Sequence, residues 1–257
     1  MPNLYLIGGP NGAGKSTISQ RLFPDILATR EFVNADAIAK GLSAFNPESV
    51  AIAADRLLIK RLHQLHALRK DFAFESTLAS RSLIPFLKQC KTNQYTITLV
   101  YVWIESAELA QKRVQERVKQ GGHSVPDEVI TRRYQRSISN LISLYLPLAD
   151  CWRIYDNTYA EPQTVAFKDA GNIITTMLPE RMKMIMPDRF HEPEAKYTAN
   201  KIDLAVKAAV AEELDRKRKL GLPMVFGRDG KVVIMVGDTI VSERAYERQT
   251  LPEPTQM

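Results

Sequence analysis

Cysteine is scarce: Cys90 and Cys151 are the only two in 257 residues. They lie far apart, without CxxC spacing and without a histidine pair beside them. That excludes a disulfide framework and a Cys/His zinc site, and it fits a reducing cytoplasm. Long apolar runs are also missing. The longest, residues 95–104, is interrupted by threonines and falls well short of the ~20 residues of a spanning helix. It therefore reads as a buried strand, and no membrane association is expected. The first residues, Met1 to Ile7, carry no basic segment and no apolar stretch of secretory length, so no secretory signal is expected. His63 and His66 share a helix face but lack further ligands, so they do not make a metal site. No internal repeat or low-complexity tract is present.

What remains is ordinary globular composition, 45% hydrophobic and 25% charged. This excludes a long disordered chain and a collagen-like fibre. A prior of ~150 residues per domain gives one large domain, or one plus a smaller extension. The net charge of +6 favours anionic partners such as nucleotides, sugar phosphates or nucleic acid. The basic residues are spread along helical segments, so most of them read as solvated surface.

Short apolar runs alternate with helical periodicities. Strands are expected at 3–8, 31–34, 72–75, 95–104 and 152–157. Helices are expected from Ser16, over 46–70, 81–89, 106–120 and 127–145. Asn46 is the expected N-cap of the second helix, with Pro47 at its first position. Ala53, Leu57, Leu58, Leu62 and Leu65 recur there at helical spacing. The alternation implies a parallel α/β sheet with right-handed crossovers. After Asn157 the rhythm changes: a small hairpin over 164–178 and a Met- and Pro-rich connector over 179–195. A long helix over 199–220 follows, with Leu204, Ala208, Ala211 and Leu214 on one face. The Asp229-Gly230 pair predicts a hairpin between 223–226 and 231–236.

Gly9-Pro10-Asn11-Gly12-Ala13-Gly14-Lys15-Ser16, followed by Thr17, fits G-x-x-x-x-G-K-[ST]. Glycines let the backbone curl so that successive N–H groups point at phosphate oxygens. The helix that follows adds its positive dipole end. Lys15 is expected to reach the β/γ-phosphates and the Ser16 hydroxyl to ligate Mg²⁺. No N-K-x-D guanine motif is visible, which disfavours a GTPase. No apolar strand ends in the Asp-Glu pair of motor ATPases. Present instead are an acidic residue, Asp36, just after the second strand, and a helix pair broken at 121–126 and flanked by arginines. That combination suits small kinases, in which one carboxylate takes a proton and a lid brings arginines onto the transferring phosphate.

Gly9–Thr17, Phe32-Val33-Asn34-Ala35-Asp36, Phe74-Glu75-Ser76-Thr77 and residues 117–126, with Gly121-Gly122-His123-Ser124-Val125-Pro126, occur in the order and spacing of the zeta-toxin-like P-loop kinases. Arg132-Arg133-Tyr134 and Asn140-Leu141 continue the match, so the first ~160 residues resemble that family. The resemblance implies an α/β P-loop kinase-like three-layer sandwich with a central, mainly parallel sheet over 1–180 and a lid near 106–145. A small helix-and-hairpin extension then occupies 181–257. It also implies that ATP and Mg²⁺ are used to phosphorylate a hydroxyl of a small molecule, as the family's characterised toxins do with UDP-N-acetylglucosamine.

By the same resemblance Asp36 is the catalytic base, Glu75 and Thr77 hold the acceptor, and Arg117 and Arg133 clamp ATP phosphates. Rival readings stand beside each. Asp36 is also placed to cap the next helix, Glu75 to end a strand in solvent, and Arg113, Arg132 or Arg136 to replace the lid arginines. His123 is a substrate contact or a lid-positioning group; Asn157, ending the fifth strand, is an adenine contact or a turn cap. The family's arginine two residues after the acceptor threonine is absent; Ala79 stands there. Two other functions compete. A polynucleotide 5′-hydroxyl kinase needs a basic groove with stacking aromatics, and no such tract is evident. A nucleotide-binding interaction module without turnover would not need Lys15, Ser16 and Asp36 intact. The C-terminal extension is open to an antitoxin partner or to self-association.

Overall fold

The computed structural model describes residues 1–22, 29–122, 124–169, 173–186 and 201–245. Its elements in chain order are β1 (Asn3–Gly8), α1 (Lys15–Leu22), β2 (Phe32–Val33), α2 (Ala35–Leu42), α3 (Ala51–Ala67), β3 (Phe72–Ser76), α4 (Ile84–Thr92) and β4 (Thr96–Trp103). Then follow α5 (Ala107–Lys119), α6 (Asp127–Asn140), β5 (Cys151–Asp156), β6 (Gln163–Lys168), β7 (Ile174–Thr176) and α7 (Pro179–Ile185). The chain closes with α8 (Lys201–Lys219), β8 (Pro223–Arg228), β9 (Lys231–Val236) and β10 (Thr239–Ala245).

Seven strands make one sheet in the order β2-β3-β1-β4-β5-β6-β7. The first five in that order run parallel, and β6 and β7 return antiparallel. The result is the expected α/β sandwich with a mixed, mainly parallel sheet. Leu4, Leu6 and Ile7 on β1, Phe72–Phe74 on β3 and Leu99–Trp103 on β4 are buried, as continuous apolar runs in a covered parallel sheet must be. Gly8 lies abreast of Ser76 on one side and Tyr101 on the other, so three strand ends open on one edge. The chain leaves β1 toward β2 and leaves β4 toward β5, in opposite directions. Such a switch point opens a crevice at the carboxyl ends of the strands.

Several expectations are corrected. The helix expected from Asn46 begins as a single 3-10 turn, Pro47–Val50, and Asn46 makes no side-chain cap. On α3 the buried face is Ala54, Leu58, Leu62 and Leu65, whereas Leu57 is 41% exposed. The helix expected over 127–145 is α-helical only to Asn140 and finishes as a π-turn, Leu141–Tyr145, in which Leu146 N–H donates to Leu141 O. The connector over 179–195 contains α7; its residues 187–195 lie outside the described residues.

On α8 the buried face is not the apolar one that periodicity selects. Leu204 is 59% exposed and Val206, Ala209 and Val210 are buried. Asp203, fully buried, decides the rotation. It accepts hydrogen bonds from Tyr155 Oη at 2.6 Å and Thr164 Oγ1 at 3.3 Å and pairs with Arg153 at 3.3 Å. A carboxylate with that many donors inside outweighs one exposed leucine. The C-terminal hairpin exists, with Asp229 and Gly230 both at positive φ, as a two-residue primed turn requires. It gains a third strand, β10, whose largely exposed residues carry little alternation to read.

Candidate functional site

The loop between β1 and α1 wraps the start of α1, whose first N–H groups have no intrahelical acceptor. Gly14, at φ +94°, shows why the loop needs glycine: a Cβ there would lie 2.6 Å from Asn157 Nδ2. Lys15 Nζ donates back across the loop to Pro10 O at 2.9 Å. The curled loop, the helix end and the ammonium thus form a cradle of the kind that holds nucleotide phosphates.

Glu75 lies one residue before the end of β3 and is buried, not the solvent-exposed strand end of the rival reading. Its carboxylate accepts from Ser16 Oγ at 2.9 Å and from Ser19 Oγ. Ser19 was missed in the sequence, although it stands three residues from Ser16 on the same helix face. Mg²⁺ takes hard oxygen ligands and is usually bound through one or two side chains plus substrate phosphates. A serine hydroxyl 2.9 Å from a carboxylate oxygen at the head of α1 fits that habit. Among the described residues no cluster of three His, Cys, Asp or Glu forms a larger cage.

Asp36 lies in the first turn of α2, exposed, beyond the end of β2. It does not cap that helix: Asn34 does, accepting from Ala37 N–H at 3.0 Å. Arg117 sits in the last turn of α5. Gly121, at φ +82°, and Gly122 close that helix, donating to Val118 O at 2.9 Å and Arg117 O at 2.9 Å. This is a Schellman cap. The Gly-Gly pair therefore has a local task, fixing the turn that carries Arg117. Arg133 projects from α6. His123 lies outside the described residues. Arg113 is excluded from the lid: it is spent on the carbonyls of Asn157, Thr158 and Val225. Arg132 and Arg136 are exposed. Asn157 lies against the loop, its amide donating to Ala13 O at 2.8 Å.

Thr77 begins a tight turn in which its Oγ1 accepts from Ala79 N–H at 3.4 Å. The next residue, Leu78, is buried at φ +57°, a costly conformation for a leucine that surroundings must enforce. Asn140 Nδ2 donates to Leu78 O at 2.8 Å and Tyr145 Oη to Ser80 O at 2.7 Å. The π-turn brings those two side chains, five residues apart, onto one face. Tyr145 escaped sequence reading because α-helical spacing would have turned it elsewhere.

Around Lys15 the charges converge. Burial pulls its pKa down to about 8; Glu75 and Asp36 oppose that shift, and Arg117 and Arg133 reinforce it. The five side chains thus share one electrostatic site. An anionic ligand on the loop favours the charged form and raises the lysine pKa again. Nucleotide binding at pH 8 is therefore expected to take up about half a proton per site. Titration calorimetry in buffers of different ionisation enthalpy measures this uptake. It should vanish in Lys15→Ala and shrink below pH 7, where Lys15 is already protonated.

A family model described as an AAA domain matches residues 4–139, more than half of the chain, and the chain belongs to that family. An uncharacterised protein of Haemophilus influenzae is 34% identical over 126 residues, covering 49% of this chain and 88% of its own. Among solved structures, the crystal structure of AvrRxo1-ORF1:AvrRxo1-ORF2 with sulphate ions matches with a TM-score of 0.62 at 15% identity, covering 82% of this chain and 76% of that one. The same complex with ATP matches at 0.60 and 16%, with 82% and 76% covered. A structure of the PezAT chromosomal toxin-antitoxin system of Streptococcus pneumoniae matches at 0.53 and 15%, covering 84% and 87%. At such identities these likenesses establish the fold, a P-loop kinase-like α/β sandwich. Among the described residues, no helix is long and apolar enough to cross a membrane.

Proposed function

We propose that this member of the AAA domain family is an ATP-dependent phosphotransferase of the zeta-toxin-like kind, acting on a hydroxyl of a small molecule. The observation that carries the reading is the glycine-rich loop at the head of α1, with Lys15 Nζ bonded across it to Pro10 O and the Ser16 hydroxyl held by Glu75, and with Asp36, Arg117 and Arg133 within electrostatic reach of Lys15. A structural neighbour solved with ATP supports the choice of nucleotide. Two neighbours come from paired proteins, one of them a toxin-antitoxin system, which supports a protein partner for this chain as well.

Each residue has a task in this reading. The loop N–H groups and Lys15 hold the phosphates and orient the γ-phosphoryl group. Mg²⁺, when bound beside Ser16, supplies positive charge to the phosphate oxygens. Glu75 keeps the Ser16 hydroxyl aimed by accepting its hydrogen. Asp36 accepts the proton of the attacking hydroxyl. Arg117 and Arg133 balance charge on the three phosphoryl oxygens as the bond to the leaving phosphate lengthens. Asn140 and Tyr145 hold the turn at Thr77 and Leu78 that flanks the acceptor. A nucleotide sugar such as UDP-N-acetylglucosamine is the first acceptor to try, with Ala79 marking where this chain departs from the family's sugar kinases.

The test is ATP consumption with panels of nucleotide sugars, nucleosides and oligonucleotides, products being identified by mass. Acceptor-dependent ADP release that disappears in Lys15→Ala supports the reading. Phosphorylated oligonucleotide ends would make the protein a polynucleotide kinase instead. ATP binding without any product across the panels would leave an interaction module.

A further inference from the structure

The C-terminal sheet reaches the phosphate loop through a short chain of contacts. Asn157 Nδ2 donates to Ala13 O inside the loop at 2.8 Å. The Asn157 backbone is itself held: its N–H donates to Trp103 O at 2.8 Å, and its carbonyl accepts from Arg113 Nη1 at 2.9 Å. Thr158 O accepts from Arg113 Nη2 at 3.0 Å and from Gly227 N–H of β8 at 3.0 Å. The same guanidinium donates its Nε to Val225 O of β8 at 2.9 Å. One planar, rigid fork thus spans the end of β5 and the first strand of the C-terminal sheet. Burial lowers the Arg113 pKa to about 10 although Asp156 opposes the shift. A charge kept inside among carbonyls is costly unless the geometry it fixes matters.

Gly227 adds an independent sign. Its backbone needs no positive φ, yet a Cβ there would stand 2.4 Å from Thr158 Cγ2 and 3.2 Å from Glu105 Oε1. Glycine is required purely because β8 approaches Thr158 so closely. A strand that only covered α5 could have packed at ordinary distance. This one is drawn against the residue that follows the loop's support.

We propose that Arg113 and Gly227 are positioning residues for the phosphate loop, acting through Asn157, so that docking of β8 sets the affinity for nucleotide. The inference rests on the reading of the loop as a nucleotide site. It gives the C-terminal sheet a task in the reaction rather than in stability alone.

The experiment is a steric cycle on the full chain, read as the Kd for Mg-ATP with melting temperatures beside it. Gly227→Ala should weaken binding about tenfold, equivalent to about 1.4 kcal/mol. Thr158→Ser removes only the methyl that the new Cβ meets and keeps the hydroxyl that accepts from Glu105 N–H at 3.0 Å. Alone it should bind as the wild type does, and combined with Gly227→Ala it should restore affinity. Linkage adds a second readout, because effects between sites are reciprocal. Mg-ATP should slow hydrogen exchange at Gly227 N–H in the wild type. If Gly227→Ala does not fold, Arg113→Lys, which keeps the charge but loses the fork, should show the same loss of affinity. Wild-type affinity in a folded Gly227→Ala, or a loss that Thr158→Ser does not repair, would overturn the proposal. A wild type that binds no nucleotide would instead remove the loop reading, and this inference with it.

Discussion

Replacing Arg117 and Arg133 together is expected to lower kcat by ~10³-fold or more, with the Kd for Mg-ATP changing far less. Phosphate-directed arginines are worth ~10³–10⁵ in rate, because they meet charge that grows only as the phosphoryl group leaves. The two come from different elements, Arg117 from the capped end of α5 and Arg133 from α6. Both are near enough to Lys15 for their charge to lower its pKa. Neither change empties the core, so thermal stability should be nearly kept. Single-turnover and steady-state rates with the acceptor found by screening, set beside nucleotide affinities, separate the two effects. A double variant with wild-type kcat would assign both arginines to a solvated face. A loss confined to affinity would make them binding groups without a role in the transition state.

Asp36→Asn should cost ~10²–10⁴ in kcat, the usual value of a general base. The substitution keeps shape and loses only proton acceptance. It should leave the fold intact because Asn34, not Asp36, caps α2. A first-turn carboxylate adds at most ~0.3–1 kcal/mol at the helix dipole. The one side effect is on Lys15: Asp36 helps to keep it charged, so its pKa falls further in the variant. Comparison at pH 7 rather than pH 8 keeps Lys15 mostly protonated and isolates the missing base. Normal ATP binding with slow transfer is the expected result. An undiminished kcat would take Asp36 out of the mechanism and leave Glu75, whose carboxylate would first have to release the Ser16 and Ser19 hydroxyls.

The parallel sheet and the loop from Gly9 to Ser16 were legible in the sequence because each rests on local chemistry. Period-2 and period-3.6 patterns, glycine conformations and turn pairs such as Asp229-Gly230 involve residues a few positions apart. Partnership between distant residues needed the tertiary structure. Arg113 and Arg117 stand one helical turn apart on α5 and look alike in sequence. Only folding sends the first to three backbone carbonyls and brings the charge of the second within electrostatic reach of Lys15. That the Asn157 amide reaches Ala13 O, 144 residues away in sequence, could not be read from the chain. The face of α8 was misread because a buried Asp203 with donors from β5 and β6 outweighs a leucine that periodicity would have turned inward. Hydrophobic periodicity reports how much apolar surface a segment can hide. It is silent on which polar groups meet, since a buried charge is stabilised by donors that the chain delivers from far away.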